Sequence, residues 1–232
     1  MNNDGNIPGE KAQTSKASAK KIFIVEDHPI FREGLQQMIS LESDLMVCGE
    51  ADNATIALEL IPSLQPDLVL VDLTLPGKSG LQLIKDLRAL GLPIKMLVVS
   101  MHDEALYADR VLRAGGDGYI MKQEDPEEII RAIKDVLAGH TYVSEEVMAS
   151  LKPASVPATK TSKITIDQLT DMEVELLELL GHGHSNQQMA AKLDLSVQAV
   201  RSHCARMTKK LNLEGTNALI RHAVCWTQTG GA

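Results

Sequence analysis

Five short runs rich in aliphatic residues recur between Lys21 and Gly139, and this repetition constrains the fold more than any other feature of the chain. The runs are IFIVED (22–27), LMVCGEA (45–51), DLVLVDL (67–73), IKMLVVS (94–100) and GYIMK (118–122). Each has the length of a strand, and the third is apolar enough to be buried on both faces of a sheet. The runs therefore predict five strands.

Segments with helical periodicity separate these strands. They cover residues 29–42, 55–64, 80–90 and 104–114. A fifth helix is predicted after Asp125, which stands as an N-cap before Pro126 at the first helical position and an acidic residue three positions on. Strands that alternate with helices pair in parallel. We therefore predict an α/β fold with a doubly wound, five-stranded parallel sheet.

A small all-α unit follows a segment without periodicity. Residues 152–166 mix Pro, Ser, Thr and Lys, which is typical of a flexible linker. Four helices are predicted beyond it, over 171–180, 186–193, 197–211 and 217–227. We divide the chain into a disordered tail (1–19), an α/β domain (20–141), a linker (142–166) and a four-helix domain (167–232).

Composition excludes several classes of protein. The chain of 232 residues has a formal net charge of -8 and an N-terminus without an apolar signal core. It contains no run of about 18 apolar residues, the length of a membrane span. Its cysteines, Cys48, Cys204 and Cys225, match no zinc-binding spacing. We expect a cytoplasmic protein that does not enter a membrane and whose cysteines are reduced and lie in the core.

Polar and charged residues stand at the ends of four predicted strands. They are Glu26 and Asp27, Asp72, Ser100 and Lys122. The carboxyl ends of parallel strands meet at one edge of the sheet, where ligands bind. Three carboxylates at one edge repel each other unless a cation lies between them, and hard oxygen ligands suit Mg²⁺. A carboxylate beside such an ion and a lysine can accept a phosphoryl group.

Over residues 20–140 the sequence resembles the receiver domains of two-component response regulators, in particular those of the NarL/FixJ subfamily. The resemblance is carried by VEDHPIFREGL, VLVDLTLPGKSGLQLI, LVVSMHDE and RAGGDGYIMK. It implies the flavodoxin-like receiver fold and a phosphoryl group accepted from a sensor histidine kinase.

The same resemblance implies a role for each residue of the acidic pocket. It implies Asp72 as the phospho-acceptor, and a Mg²⁺ ion held by Glu26, Asp27, Asp72 and the carbonyl of Thr74. It implies a switch set that contacts the phosphoryl group, formed by Ser100, Tyr119 and Lys122. Two further residues, Thr74 and His102, occupy positions that tune loss of the phosphoryl group.

Two other interpretations of this pocket stay open in the sequence. A degenerate receiver would have the fold without being phosphorylated, although every pocket position carries the expected residue type. A phosphatase resembling the haloacid dehalogenases would also use an aspartyl nucleophile, but it needs a second Asp where this chain has Thr74. We therefore expect no enzyme activity beyond self-catalysed phosphoryl uptake and loss at Asp72.

The last domain contains a basic helix in a helix-turn-helix arrangement. Residues 195–213 include Arg201, Arg206, Lys209 and Lys210 and no acidic residue. Helices 186–193 and 197–211 have the lengths and order of that motif. The residues predicted to face DNA bases are Gln198, Arg201, Ser202 and Ala205, and those suited to phosphate contacts are His203, Lys209 and Lys210. A solvated basic helix in an ordinary bundle is the alternative.

Residues 167–228 resemble the LuxR-type DNA-binding domain. The matching stretches are LTDMEVELLELLGHGHSNQQMAAKLDLSVQAVRSHCARMTKKLNL and NALIRHAV. The resemblance implies a recognition helix near 197–211 and a helix over 217–227 available for dimer contact. Met172, Gln187, Ala199 and Thr216 depart from its common residues and lower the positive charge, so we expect weak non-specific DNA binding.

Together the two resemblances predict a DNA-binding response regulator that regulates transcription. The expected partners are a sensor histidine kinase, double-stranded promoter DNA, a second copy of the chain after activation, and RNA polymerase. The alternative is a protein-interaction module, in which the last domain docks a partner and has little affinity for DNA. The small net charge of that domain is the observation that supports this alternative.

Overall fold

The computed structural model of the protein describes residues 19–151 and 168–228. Nearly all of the predicted tail and most of the predicted linker lie outside the described residues. In the part of the chain that is described, no helix combines the length and the apolar character needed to cross a lipid bilayer.

The first unit has the predicted five strands. They are β1 (Lys20–Val25), β2 (Leu45–Ala51), β3 (Leu68–Val71), β4 (Lys95–Ser100) and β5 (Gly118–Met121). Neighbouring strands pair in parallel in the order β2-β1-β3-β4-β5, which confirms the doubly wound sheet. The chain changes direction across the sheet between β1 and β3, and this opens a crevice at their carboxyl ends.

Helices cover both faces of the sheet. They are α1 (Pro29–Ser40), α2 (Ala54–Leu64), α3 (Gly80–Ala89), α4 (Glu104–Ala114) and α5 (Pro126–Leu137), and a short α6 (Glu145–Leu151) follows. Every residue of β3 is buried, as expected for a central strand covered on both faces. The N-cap side chains of Asn53, Ser79 and Asp103 bond the first turns of α2, α3 and α4. Asp125 precedes α5 as predicted, but its side chain makes no cap hydrogen bond.

β1 and β3 are shorter at their carboxyl ends than the sequence runs that predicted them. The acidic residues of these runs therefore lie just beyond the strands. β1 ends at Val25 and β3 ends at Val71. Glu26 and Asp72 are therefore the first residues beyond their strands, at the mouth of the crevice.

Asp117 ties the opposite end of the sheet together. Its carboxylate accepts hydrogen bonds from Arg88 Nη2 at 2.5 Å, Lys95 Nζ at 2.9 Å and the backbone N–H of Met96 at 2.9 Å. These donors belong to α3 and β4, and Asp117 itself directly precedes β5, so one carboxylate holds a helix against two strands.

The second unit is the predicted bundle of four helices. They are α7 (Asp171–Gly181), α8 (Asn186–Lys192), α9 (Val197–Lys210) and α10 (Thr216–Gln228). Both predicted capping boxes are present, at Thr170 and at Ser185. Cys204 is buried, but Cys225 is exposed. The prediction of a core position for Cys225 is therefore wrong, because this side chain lies on the outer side of α10.

The two units meet along one side of α7, which we call its acidic face: Asp171, Glu175 and Glu178. Spacings of four and three residues place these side chains on the same side of a helix. Asp171 pairs with Lys85 at 2.6 Å and with Arg110 at 3.0 Å. The acidic face therefore rests on α3 and α4 of the first unit.

Candidate functional site

The four charged residues at the ends of β1, β3 and β5 meet in one cluster. Lys122 Nζ lies 2.7 Å from Glu26 Oε2 and 2.9 Å from Asp72 Oδ2. Glu26 and Asp72 are almost fully buried, and Asp27 is partly exposed. Ligand atoms of Glu26, Asp27, His28 and Asp72 lie within 4.8 Å of one another. The sheet thus brings together the carboxylates that the sequence places on separate strands.

The electrostatics of this cluster favour a cation. The three carboxylates of Glu26, Asp27 and Asp72 carry more negative charge than Lys122, which bonds Glu26 and Asp72, can balance. The pKa of Asp72 is raised to about 6, chiefly by burial; Lys122 lowers this pKa, whereas the nearby Glu26 carboxylate raises it. A hard divalent ion with oxygen ligands would balance this charge, so the donor set fits Mg²⁺.

Thr74 and His102 lie next to Asp72 and contact each other. The backbone N–H of Thr74 donates to Asp72 Oδ1 at 3.3 Å. Thr74 Oγ1 and His102 Nε2 are 2.8 Å apart. Although 28 residues separate them in the sequence, the β3–α3 and β4–α4 loops place these two side chains in hydrogen-bond contact at the rim of the cluster.

Ser100 and Tyr119 lie beneath this rim and are fully buried. The hydroxyl of Tyr119 donates to the backbone carbonyl of His102 at 2.8 Å, and the backbone N–H of His102 donates to Ser100 Oγ at 3.3 Å. Burial raises the pKa of Tyr119 above its ordinary value, which keeps the hydroxyl protonated and able to donate. Both side chains are thus linked to the β4–α4 loop.

Two residues at this site were missed by the sequence interpretation. Glu178, on the acidic face of α7, accepts from Tyr107 Oη at 2.9 Å and lies 2.8 Å from His102 Nδ1. The one feature of the sequence that could have pointed to Glu178 is that it and Glu175 interrupt the apolar residues of α7. Gly80 packs so closely that a Cβ atom there would lie 1.9 Å from the carbonyl oxygen of Asp72.

The basic helix α9 exposes most of the residues that the sequence predicts to contact DNA. Gln198, Arg201, Ser202, Ala205 and Lys209 are exposed, while the opposite side of α9 packs in the core of the bundle. Ser196 caps the helix by accepting from the backbone N–H of Ala199 at 3.1 Å. The exposed N-terminal half of the helix is the part that a recognition helix presents to base edges.

Two of the residues predicted to contact phosphates have partners within the protein. Lys210 Nζ lies 2.6 Å from Glu173, whose side chain is 1% exposed. His203 Nδ1 lies 2.8 Å from Arg206 Nη2. Lys210 therefore helps to neutralise a buried carboxylate, whereas Lys209 is exposed and remains directed to solvent.

Family models match both units. The model for the response regulator receiver domain matches residues 22–134. The model for bacterial regulatory proteins of the luxR family matches residues 167–223.

Curated proteins match over most of the chain. The nitrate/nitrite response regulator protein NarL of Escherichia coli is 35% identical over 195 residues, which cover 83% of this chain and 89% of NarL. BvgA of Bordetella pertussis, a putative positive transcription regulator of virulence factors, is 32% identical over 86% of this chain and 94% of its own length.

Solved structures agree with this grouping. A LuxR-family response regulator from Aurantimonas is 35% identical, with a TM-score of 0.54, over 57% of this chain and 94% of that protein. RcsB from Salmonella enterica serovar Typhimurium, bound to a promoter in the presence of a phosphomimetic, covers 90% of this chain and 100% of RcsB with a TM-score of 0.63. At 23% identity, RcsB supports the fold alone.

Proposed function

This chain belongs to the response regulators that join a receiver domain to a LuxR-type DNA-binding domain, and we propose that it controls transcription through phosphorylation of Asp72. The observation that carries the proposal is the buried cluster in which Lys122 bonds both Glu26 and Asp72. The expected phosphoryl donor is a sensor histidine kinase, and the transfer is the only covalent chemistry we assign to the protein.

In this transfer a carboxylate oxygen of Asp72 attacks the phosphorus of a phosphohistidine. A P–O bond forms as the P–N bond breaks, and the imidazole, which is protonated on its other ring nitrogen, leaves as the neutral ring. Lys122 is already within hydrogen-bond distance of Asp72 and can pair with an oxygen of the transferred group. Burial of the cluster strengthens this pairing, since charges interact more strongly away from water.

Glu26, Asp27, Asp72 and the carbonyl of Thr74 would hold Mg²⁺. When bound, the ion would neutralise negative charge on the phosphoryl oxygens. The carboxylates fit this role because their oxygens are hard ligands and because Lys122 balances only part of their negative charge.

Ser100 and Tyr119 would report the phosphorylated state. A phosphoryl group adds about -1.5 to -2 charges and strong acceptor oxygens, which attract the Ser100 hydroxyl and Lys122. Ser100 and Tyr119 are each bonded to the backbone of His102. Movement of Ser100 would thus shift the β4–α4 loop and, with it, the contact with α7.

DNA binding is assigned to the exposed surface of α9. The residues proposed for base contacts are Gln198, Arg201, Ser202 and Ala205, and those proposed for phosphate contacts are His203, Lys209 and, after release from Glu173, Lys210. We further propose that the phosphorylated protein forms a homodimer on paired half-sites of promoter DNA, in the cytoplasm and with RNA polymerase as a partner.

Labelling with a radioactive acyl phosphate and Mg²⁺ tests the assignment of the acceptor. The wild-type chain should be labelled, Asp72→Asn should not, and the exposed Asp52→Asn should behave as wild type. Labelling of Asp72→Asn at the wild-type level would contradict the proposal.

DNA binding is tested separately, by sequencing host DNA fragments that the full chain retains with and without phosphorylation. Arg201→Ala and Lys209→Ala should each weaken binding, whereas the exposed Arg113→Ala on α4 should not. Retention of no fragment in either state would favour the interaction module instead.

A further inference from the structure

We propose that Glu178 of the DNA-binding domain is a positioning residue for phosphoryl transfer to Asp72. It would act through His102 and Thr74 and slow the transfer while the two domains are in contact. This inference rests on the proposed function, because it concerns the rate at which Asp72 is phosphorylated.

Hydrogen bonds through His102 and Thr74 connect Glu178 to Asp72. Glu178 Oε2 lies 2.8 Å from His102 Nδ1, and His102 Nε2 lies 2.8 Å from Thr74 Oγ1. The backbone N–H of Thr74 then donates to Asp72 Oδ1. The side chains of His102 and Glu178 are only 17% and 15% exposed, so water competes little for these bonds.

The Glu178 carboxylate dictates which atom of His102 carries a proton. A carboxylate only accepts hydrogen bonds, so Nδ1 must donate to it. Nε2 then accepts from the hydroxyl of Thr74 when the ring is neutral and donates to it when the ring is protonated, so the ring holds that hydroxyl in either form. A residue of the second domain therefore orients the ring of the first domain and, beyond it, the hydroxyl of Thr74.

The Glu178 carboxylate is itself fixed in place. Tyr107 Oη donates to the same oxygen at 2.9 Å, and the rings of Tyr107 and His102 lie with their centroids 4.8 Å apart. Contact between the domains thus locks His102 against the loop that follows Asp72. A locked ring and hydroxyl beside the acceptor restrict the approach of a phosphoryl donor, and their release should speed the transfer.

The test measures initial rates of phosphoryl uptake by the full chain from acetyl phosphate with Mg²⁺. Glu178→Leu should raise the rate roughly tenfold to a hundredfold, the effect of losing one charge-assisted hydrogen bond. Glu178→Gln keeps an acceptor for Nδ1 and should stay near the wild-type rate. Glu214→Leu makes the same change at an exposed position of the same domain and serves as the control.

A second background separates positioning from simple contact between the domains. In the His102→Ala chain, Glu178→Leu should cause no further change in rate, because the residue through which it acts is absent. Nitrogen NMR of His102 should also report the proton on Nδ1 in the wild type and its loss from Nδ1 in Glu178→Leu.

Each result decides the proposal. Equal uptake by wild type and Glu178→Leu would overturn it and leave the proposed function intact. An undiminished effect of Glu178→Leu in the His102→Ala chain would also overturn it, since Glu178 would then act through docking alone. Absence of uptake at Asp72 in the wild type would remove the proposed function and this inference with it.

Discussion

Raising the pH should loosen the contact between α7 and the receiver domain, because Glu175 is buried in that contact. Glu175 is 7% exposed, and its Oε2 atom has no hydrogen-bond partner among the residues that the structure describes. Burial raises its pKa to about 7; the charge of His102 lowers the pKa, whereas Asp171, Glu178 and Asp72 raise it. Below about pH 7 this carboxyl group is therefore protonated when the domains are docked.

The size of the effect follows from the difference between this pKa and the ordinary value of 4.5. Below the ordinary value Glu175 is protonated whether or not the domains are in contact, so docking carries no penalty. Between the two values docking requires uptake of a proton, and the docking free energy weakens with rising pH. Above about pH 7 the penalty is constant at about 3 kcal/mol, roughly a few hundredfold in the docking equilibrium.

Small-angle scattering across this pH range measures the effect as an increase in the radius of gyration. His102 contributes in the same direction: burial lowers its pKa, but the hydrogen bond and charge of Glu178 raise it on balance. The comparison with Glu175→Gln isolates Glu175, because glutamine keeps the size and cannot ionise. The variant should stay docked to a higher pH. The same pH dependence in both proteins would refute the reasoning.

Three further predictions concern stability and the site. Asp117→Asn removes the carboxylate that bonds Arg88 and should lower the free energy of unfolding by about 2 kcal/mol in urea titrations; an unchanged midpoint would contradict this. Ser196→Ala removes the cap of α9 and should cost about 1 kcal/mol by the same measurement, with weaker DNA binding and unchanged phosphoryl uptake. Gly80→Ala forces a Cβ atom into the carbonyl of Asp72 and should cost more than about 3 kcal/mol and slow phosphoryl uptake; wild-type stability would show that α3 can move aside.

Much of the receiver domain could be predicted from its sequence because its determinants are local and periodic. Apolar runs of strand length give the sheet, and the charged residues at the ends of the first, third and fifth runs give the members of the acidic cluster. Both capping boxes of the last domain were predicted from pairs three residues apart. At the majority of helix and strand ends, the predicted and observed bounds differ by one or two residues, because such ends fray.

Errors and omissions arose where a partner far along the chain decides the role of a side chain. The sequence did not indicate that Lys210 pairs with the buried Glu173 of α7, and its contact with phosphates stays a prediction. Cysteine is among the residues most often buried in proteins, yet Cys225 lies on the exposed side of α10. No local pattern distinguishes these cases, because exposure depends on which side of a helix packs.

The sequence by itself determined the order of elements, the parallel sheet, the carboxylates at its edge and the basic helix. Each follows from spacing within a few residues or from a rule that joins adjacent elements. Only the tertiary structure decided that Glu178 reaches His102, 76 residues away in the sequence, and that Glu175 is buried beside them. Those contacts depend on how the two domains pack against each other. The free energy of that packing comes from surfaces that no local sequence pattern specifies.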